Sequence, residues 1–340
     1  MSLSRLGSYA GRRLLYLIPQ AIGISLVTFV IVRTLPGNPA YLIAGPRATE
    51  TMIKQIEADM GLDLPLWQQY LRYLSDLVQG DLGRSWVTSN PVLVDLAQRV
   101  PATLELITLG LLLSLLIGIP LGAYAAMRRD RPTVLGRVTG VYGSLAGAIP
   151  DFWFGLIAIF LFYVQLGWAP APMGRIGMMV FPPPTVTGFL TIDTLLAGDF
   201  EAFRSVLSHL ALPVLTLVFV YMAPIVKMTR SSMEEVLETE YIRHSVALGL
   251  PERRIFRRAL HNALPPVVTI LGVLYGYLLG GAVLVESVFA WGGLGQYAVQ
   301  SIINSDFAAI QAFVLVAAAF TLIVYLLVDL VYFVIDPRLK

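Results

Sequence analysis

Apolar residues in this chain gather into runs long enough to cross a bilayer, which takes about 20 mostly apolar residues in helical form. Leu14–Val32 and Leu106–Met127 carry no charge, and Val138–Trp168 carries only Asp151. Val206–Val226 and Val267–Val285 are uncharged, and Ala308–Ile335 is interrupted only by Asp329. The pattern predicts an all-α protein with six spanning helices. Between the first two runs, about 36–101 is long enough for a small helical cap. Leu66, Tyr70, Leu74 and Leu77 recur at helical spacing beside Trp67 and Leu71, with Pro65 at the start and Gly80 at the end. Asn90-Pro91 opens a second short helix feeding the second span. About 169–205, with Pro182-Pro183-Pro184, reads as irregular.

Composition supports a membrane protein. Apolar residues make up 56% and charged residues 14%, against about 45–50% and about 25% in soluble domains. Mean hydropathy is +0.73. The Lys/Arg bias sets orientation. With the N-terminus in the cytoplasm, sixteen of the 24 basic residues fall inside, and six of the others lie in the long 33–104 region that the rule discounts. This predicts an N-in, C-in, multi-pass membrane protein. Arg12-Arg13 precede the first run as in a signal peptide, but the run exceeds the roughly 7–15 residues of such a segment and no A-x-A-like site follows. It reads as an uncleaved span. A net charge of +2 gives no field that would attract nucleic acid, and the absence of cysteine excludes thiolate metal sites and Cys catalysis. Three scattered histidines argue against a His metal centre.

Neither a P-loop nor G-x-S-x-G, H-E-x-x-H or G-x-G-x-x-G occurs, so no catalytic residues are expected. The informative loop is 227–262. Its first half carries Glu234, Glu235, Glu238 and Glu240, and its second half Arg253, Arg254, Arg257 and Arg258. Glu234–Val246 lacks Gly and Pro and is expected to be helical until Gly249 interrupts it. Pro251 opens a further helix expected to run to about Leu264, before Pro265-Pro266. Composition leaves two readings open: a docking element held at the membrane surface, or a linker touching anionic lipid headgroups.

The run from Glu240 through Tyr241-Ile242-Arg243-His244-Ser245-Val246-Ala247-Leu248 to Gly249, then Leu250–Arg254 and Ala259–Pro265, resembles the EAA loop of binding-protein-dependent ABC importer permeases. It looks most like the first-permease (DppB/OppB) type of the dipeptide/oligopeptide/nickel branch. Leu35–Ala40, Gly61–Tyr70, Gly80–Gly83, Pro101–Leu104, Glu286–Gly295 and Asp336–Arg338 agree in family order. The resemblance implies the type I importer permease fold, with an N-terminal helix and extracytoplasmic helical loop (1–101) and a five-helix core (102–340) whose coupling loop spans about 227–265. It implies that Tyr241, Arg243, His244, Ala247, Gly249, Leu250, Glu252 and Arg253 couple to one or two separate ATPases, which would bind ATP and magnesium. This chain would bind no cofactor. The other implied partners are a second homologous permease and an extracytoplasmic substrate-binding protein, in an importer of di- or oligopeptides in the inner (plasma) membrane of a bacterial or archaeal cell. The sequence departs from the family pattern at Arg243-His244-Ser245, at Leu248 and at Ser305-Asp306-Phe307-Ala308. The last departure suggests a changed substrate or partner contact.

Ionisable residues in hydrocarbon are functional hypotheses by default. Asp151, after Pro150, reads either as an acid lining a translocation path or as part of a helix break. An ion-coupled secondary transporter built on Asp151 is the competing class, but such carriers need midplane ion sites and often internal repeats. Asp329 reads as structural and Glu286 as a headgroup-level or partner contact. Gly272, Gly276 and Gly280 lie on one helical face, and Gly118/Gly122 and Gly143/Gly147 repeat the spacing. All three sets read as close helix packing; the first is also a candidate to line the path or slide during gating.

Overall fold

A computed structural model describes residues 3–34, 39–45, 47–129 and 134–335. Leu35–Asn38 of the first family-like run and Asp336–Arg338 of the last lie outside the described residues. Chain order is α1 (Leu3–Thr34), the cap helices α2 (Pro39–Ala44), α3 (Glu50–Asp59) and α4 (Leu66–Val78), then α5 (Val92–Met127), α6 (Val134–Ala148) and α7 (Asp151–Ala158). There follow α8 (Leu190–Leu196), α9 (Phe200–Leu237), α10 (Glu240–Ala247), α11 (Glu252–Val288), α12 (Leu294–Ile303) and α13 (Phe307–Ile335). No strand occurs among the described residues beyond one isolated bridge between Arg84 and Pro91.

Among the described residues five helices are long and apolar enough to span a membrane: α1, α5, α9, α11 and α13. The third expected span, Val138–Trp168, is instead a bent pair. The chain turns by 107° between α6 and α7, and α7 continues as a π-helix over Ile159–Gln165. Pro150 causes the break, because it lacks an N–H and disfavours helix at the residue before it. Phe219 of α9 holds both arms: Tyr142 of α6 donates to its carbonyl oxygen at 2.5 Å, and Phe154 of α7 stacks on its ring at 3.9 Å.

Two expected helix ends also move. The short helix after Pro91 and the second span are one 36-residue helix, α5, running through Pro101 and Pro120, so residues 101 and 102 share a helix. Likewise α11 passes through Pro265-Pro266 without a break. Membrane helices tolerate proline, and beside the pair Ser232 of α9 donates to the Ala263 carbonyl at 3.0 Å, tying the two helices together.

The core is centred on α5 against α9. A Cβ on Gly110 would sit 3.0 Å from Leu217, one on Gly118 3.0 Å from Ile225, and one on Gly122 2.6 Å from the Val226 carbonyl oxygen. The predicted packing role therefore holds for Gly118/Gly122. Gly143 and Gly147 have nothing within 4 Å, because that face of α6 meets no helix of this chain.

The end of the bundle opposite α10 is tied by buried carboxylates. Glu286 is fully buried, not at headgroup level as expected. It accepts from Thr103 Oγ1 and from the N–H groups of Gly295 (2.8 Å) and Gln296 (3.1 Å), capping the start of α12. Glu105 pairs with Arg175 at 2.5 Å and accepts the Thr191 N–H at 2.7 Å, fastening the 169–205 stretch, which is irregular only as far as α8. Asp306, in the run that departs from the family pattern, accepts from Ser85 Oγ at 2.5 Å and is 1% exposed. It is an internal anchor, not a partner contact. In the cap, α4 has the predicted bounds but packs through Tyr70 and Tyr73 onto Phe29 of α1, leaving Trp67 63% exposed.

Two outcomes follow. Gly122→Ala should cost about 1–3 kcal/mol through overpacking, whereas Gly143→Ala should be neutral or slightly stabilising; thermal unfolding in detergent separates them. Asp193 is buried, which raises its pKa, but hydrogen bonds from Thr187 Oγ1 (2.7 Å), Thr187 N–H (2.8 Å) and Gly188 N–H (3.0 Å) outweigh burial and hold it below 3.8. Its stabilisation is complete above the unfolded value and lost as pH falls through the lower folded one. Protection of the Thr187 and Gly188 amides from hydrogen exchange, relative to the intrinsic rate at each pH, should be full at about pH 5, fall as pH drops below the ordinary Asp value of about 3.9, and be lost at both in Asp193→Asn.

Candidate functional site

The loop singled out by its charge pattern is an elbow between two long helices. At about 1.5 Å per residue, the 38 residues of α9 span roughly 57 Å, well beyond a hydrocarbon core of about 30 Å, and the 37 residues of α11 span nearly as much. The expected helix from Glu234 is divided: α9 ends at Leu237, and Thr239 in extended conformation starts α10. Gly249 then reverses the chain at φ +70°, a left-handed conformation that glycine adopts without a Cβ penalty. Pro251, which needs no N–H at a helix start, precedes α11.

One face of α10 seats on the bundle. Ile242 is buried with Met233, Ile255, Ala259 and Ala263, and Ala123 and Ala126 of α5 join the same cluster. Ser245 is buried too and accepts from Arg258 at 3.1 Å. Asn262 donates to the Tyr241 hydroxyl at 2.5 Å, and Arg129 pairs with Glu238 at 2.5 Å. These anchors were missed in the sequence, although Ile242 and Ser245 stand at i, i+3 opposite the charged positions, which is the signal that marks them.

The other face is uncovered. Arg243, His244, Ala247, Gly249, Glu252 and Arg253 are exposed, with Tyr241 at 43% and Leu248 at 66%. Leu250 alone of the expected set turns inward, packing against the Ile242 cluster. A small, partly apolar convex surface with basic flanks is left on a rigid elbow.

Asp151 occupies the first turn of α7, where a carboxylate favours the helix N-terminus. Its Oδ1 accepts the Phe152 N–H at 2.7 Å. Its Oδ2 faces Gly281 of α11, where a Cβ would meet it at 2.8 Å and the Tyr221 hydroxyl at 2.5 Å. Break and half-buried acid are thus the same feature, and Tyr221 and Gly281 are its unpredicted companions. Among the glycines, Gly272 packs on Val328 and Tyr325 of α13, a Cβ on Gly276 would lie 3.7 Å from the Tyr325 hydroxyl, and Gly280 faces open space. Asp329 lines a cleft with Tyr16, Gln20, Thr269 and Tyr325 between α1, α11 and α13.

Comparison with known proteins accounts for nearly the whole chain. Residues 118–340 match the family model "Binding-protein-dependent transport system inner membrane component", and residues 9–107 match the N-terminal model of the same transport-system component. The chain is 46% identical over 318 residues (93% of each chain) to the probable D,D-dipeptide transport system permease protein DdpB of Escherichia coli K12. It is 41% identical over 335 residues (97% of each) to the dipeptide transport system permease protein DppB of the same strain. Identity to the DppB of Alkalihalophilus pseudofirmus is 39% over 338 residues, covering 98% of this chain and 99% of the relative. Nothing in these comparisons favours an ion-coupled carrier. An all-α chain with five apolar spanning helices and one bent pair, carrying a surface elbow between its two longest helices, belongs to the binding-protein-dependent transport system inner membrane component family, as the multi-pass permease of an importer that works with an ATPase and a substrate-binding protein.

Proposed function

We propose that this chain is one of two homologous permease halves of an ATP-driven importer of di- and oligopeptides, oriented N-in, C-in, with the α10 elbow docked on a separate ATPase. The relatives named as dipeptide permeases support the substrate class. The elbow supports the coupling: α10 is held by Ile242, Ser245 and Arg258 on one side and presents Tyr241, Arg243, His244, Ala247, Gly249, Glu252 and Arg253 on the other. ATP and magnesium belong to the ATPase subunits, one or two in number, and this chain hydrolyses nothing.

The geometry gives the coupling a physical route. Because α11 is unbroken from Glu252 to Val288, displacement of the elbow moves Gly281 against Asp151 and Tyr221 and carries with it the start of α12, which Glu286 holds. In this reading Asp151 and Gly280 line the path that opens, while Gly272 and Gly276 give α11 a shallow surface that slides on Tyr325. The half-buried Asp151 carboxylate suits a peptide ammonium group entering from the binding protein.

The reading is tested by co-purifying tagged protein from native membranes in mild detergent. Wild type should bring down an ATPase subunit, and Gly249→Val, which puts a β-branched residue at φ +70°, should lose it while keeping its thermal unfolding within about 2 kcal/mol of wild type. Vanadate-insensitive uptake with no ATPase recovered would defeat the proposal. Asp151→Asn should slow uptake of peptides by roughly tenfold with the co-purified ATPase unchanged; wild-type uptake by the variant would remove Asp151 from the path.

A further inference from the structure

The cap helix α4 uses one side to hold α1 and leaves an apolar side bare. Tyr70 and Tyr73 face α1, where both rings meet Phe29. One helical row further round, Trp67, Leu71, Leu74 and Val78 follow at i, i+4, i+7 and i+11. Trp67 is 63%, Leu71 56% and Val78 87% exposed. The next row, Gln68, Arg72, Ser75 and Gln79, is wholly polar. On the flank opposite the apolar row, Gln69 donates to the carbonyls of Leu62 (3.2 Å) and Leu64 (2.8 Å). It thereby holds the turn that carries Asp63, and Asp76 stands on the same flank. Acidic turn and apolar row thus lie on either side of the tyrosine contact with α1.

The level at which α4 is fastened decides what covers the bare row. Phe29 lies three residues inside the end of the uncharged run Leu14–Val32, or about 5 Å along the helix axis. The Tyr70 hydroxyl reaches deeper, lying 2.9 Å from Ser25 Oγ and donating to the Ile22 carbonyl oxygen at 3.3 Å. After α4 the chain keeps to the same edge. A Cβ on Gly83 would meet the Ala308 Cβ at 3.3 Å, and the adjoining Phe307 clusters with Val32. Helix α4 is therefore attached at the rim of the hydrocarbon, on the side opposite α10. With the acidic turn on the water side, the flank across from it points into the bilayer. Tryptophan and tyrosine suit that rim, since each joins an apolar ring to a polar N–H or O–H.

We infer that α4 is an interfacial membrane helix. Trp67, Leu71, Leu74 and Val78 rest among the acyl chains of the leaflet opposite α10, and the row through Gln68, Ser75 and Gln79 lies at headgroup level. The lipid then completes a support for α1: the span packs on α13 along its length and is braced by α4 where it leaves the membrane. This surface role depends neither on the substrate carried nor on what docks at the elbow.

The chain contains no cysteine, so Leu71→Cys or Val78→Cys offers a single site on it for a benzophenone maleimide. The intact complex is labelled in detergent, reconstituted in vesicles of phosphatidylethanolamine and phosphatidylglycerol, and irradiated. The tagged chain is then isolated under denaturing conditions and weighed by mass spectrometry, with unsubstituted protein as the blank. Both variants should gain the mass of one phospholipid several-fold more often than Asp76→Cys on the acidic flank, with melting temperature and co-purified ATPase unchanged. Should one variant fail to assemble, the other carries the comparison. Adducts with another protein chain in place of lipid would assign the row to a protein partner and overturn the inference. Lipid adducts no more frequent at Leu71 and Val78 than at Asp76 would overturn it as well.

Discussion

The close approach of α5 and α9 is the constraint on which the other elements depend. In a bilayer, helices gain little from hiding apolar surface, because lipid is as apolar as their side chains; association rests on van der Waals packing and hydrogen bonds. Gly110, Gly118 and Gly122 remove the side chains that would hold the two backbones apart. With α5 and α9 locked together, Phe219 is placed to receive the bend between α6 and α7, and Met233 is placed beneath α10. The elbow and the intramembrane acid are thus fixed to one frame, at different depths.

That frame is closed by polar groups at one end. Glu286 and Glu105 are carboxylates with almost no exposure, and each is satisfied by several donors from segments distant in sequence. Burying a carboxylate without such partners costs several kcal/mol, so these sites specify geometry at least as much as they stabilise it. They fasten α12 and the 169–205 stretch to the ends of α5 and α11. An α11 anchored by Glu286 at one end and seated under α10 at the other is suited to carry displacement along its length.

What the sequence determined by itself were the features set by local physics. A run of twenty apolar residues can do little in water and becomes a spanning helix, so α1, α5, α9, α11 and α13 were legible, as were the bounds of α4 and the turn at Gly249. Family-like motifs drew attention to the residues of the elbow, and of those named only Leu250 turns inward. What tertiary structure alone decided were matters of which atoms face which. Pro150 coincides with a bend whereas α5 and α11 run on through Pro101, Pro120 and Pro265-Pro266; what distinguishes Pro150 is that Phe219 offers both arms of the bend a seat. Gly122 is pressed against a carbonyl and Gly143 against nothing, though their spacing is alike, since close packing requires a facing helix that periodicity cannot name. Glu286 looks like an interfacial charge in one dimension and becomes a buried cap only because Thr103 and the start of α12 arrive around it, nearly two hundred residues and nine residues away respectively.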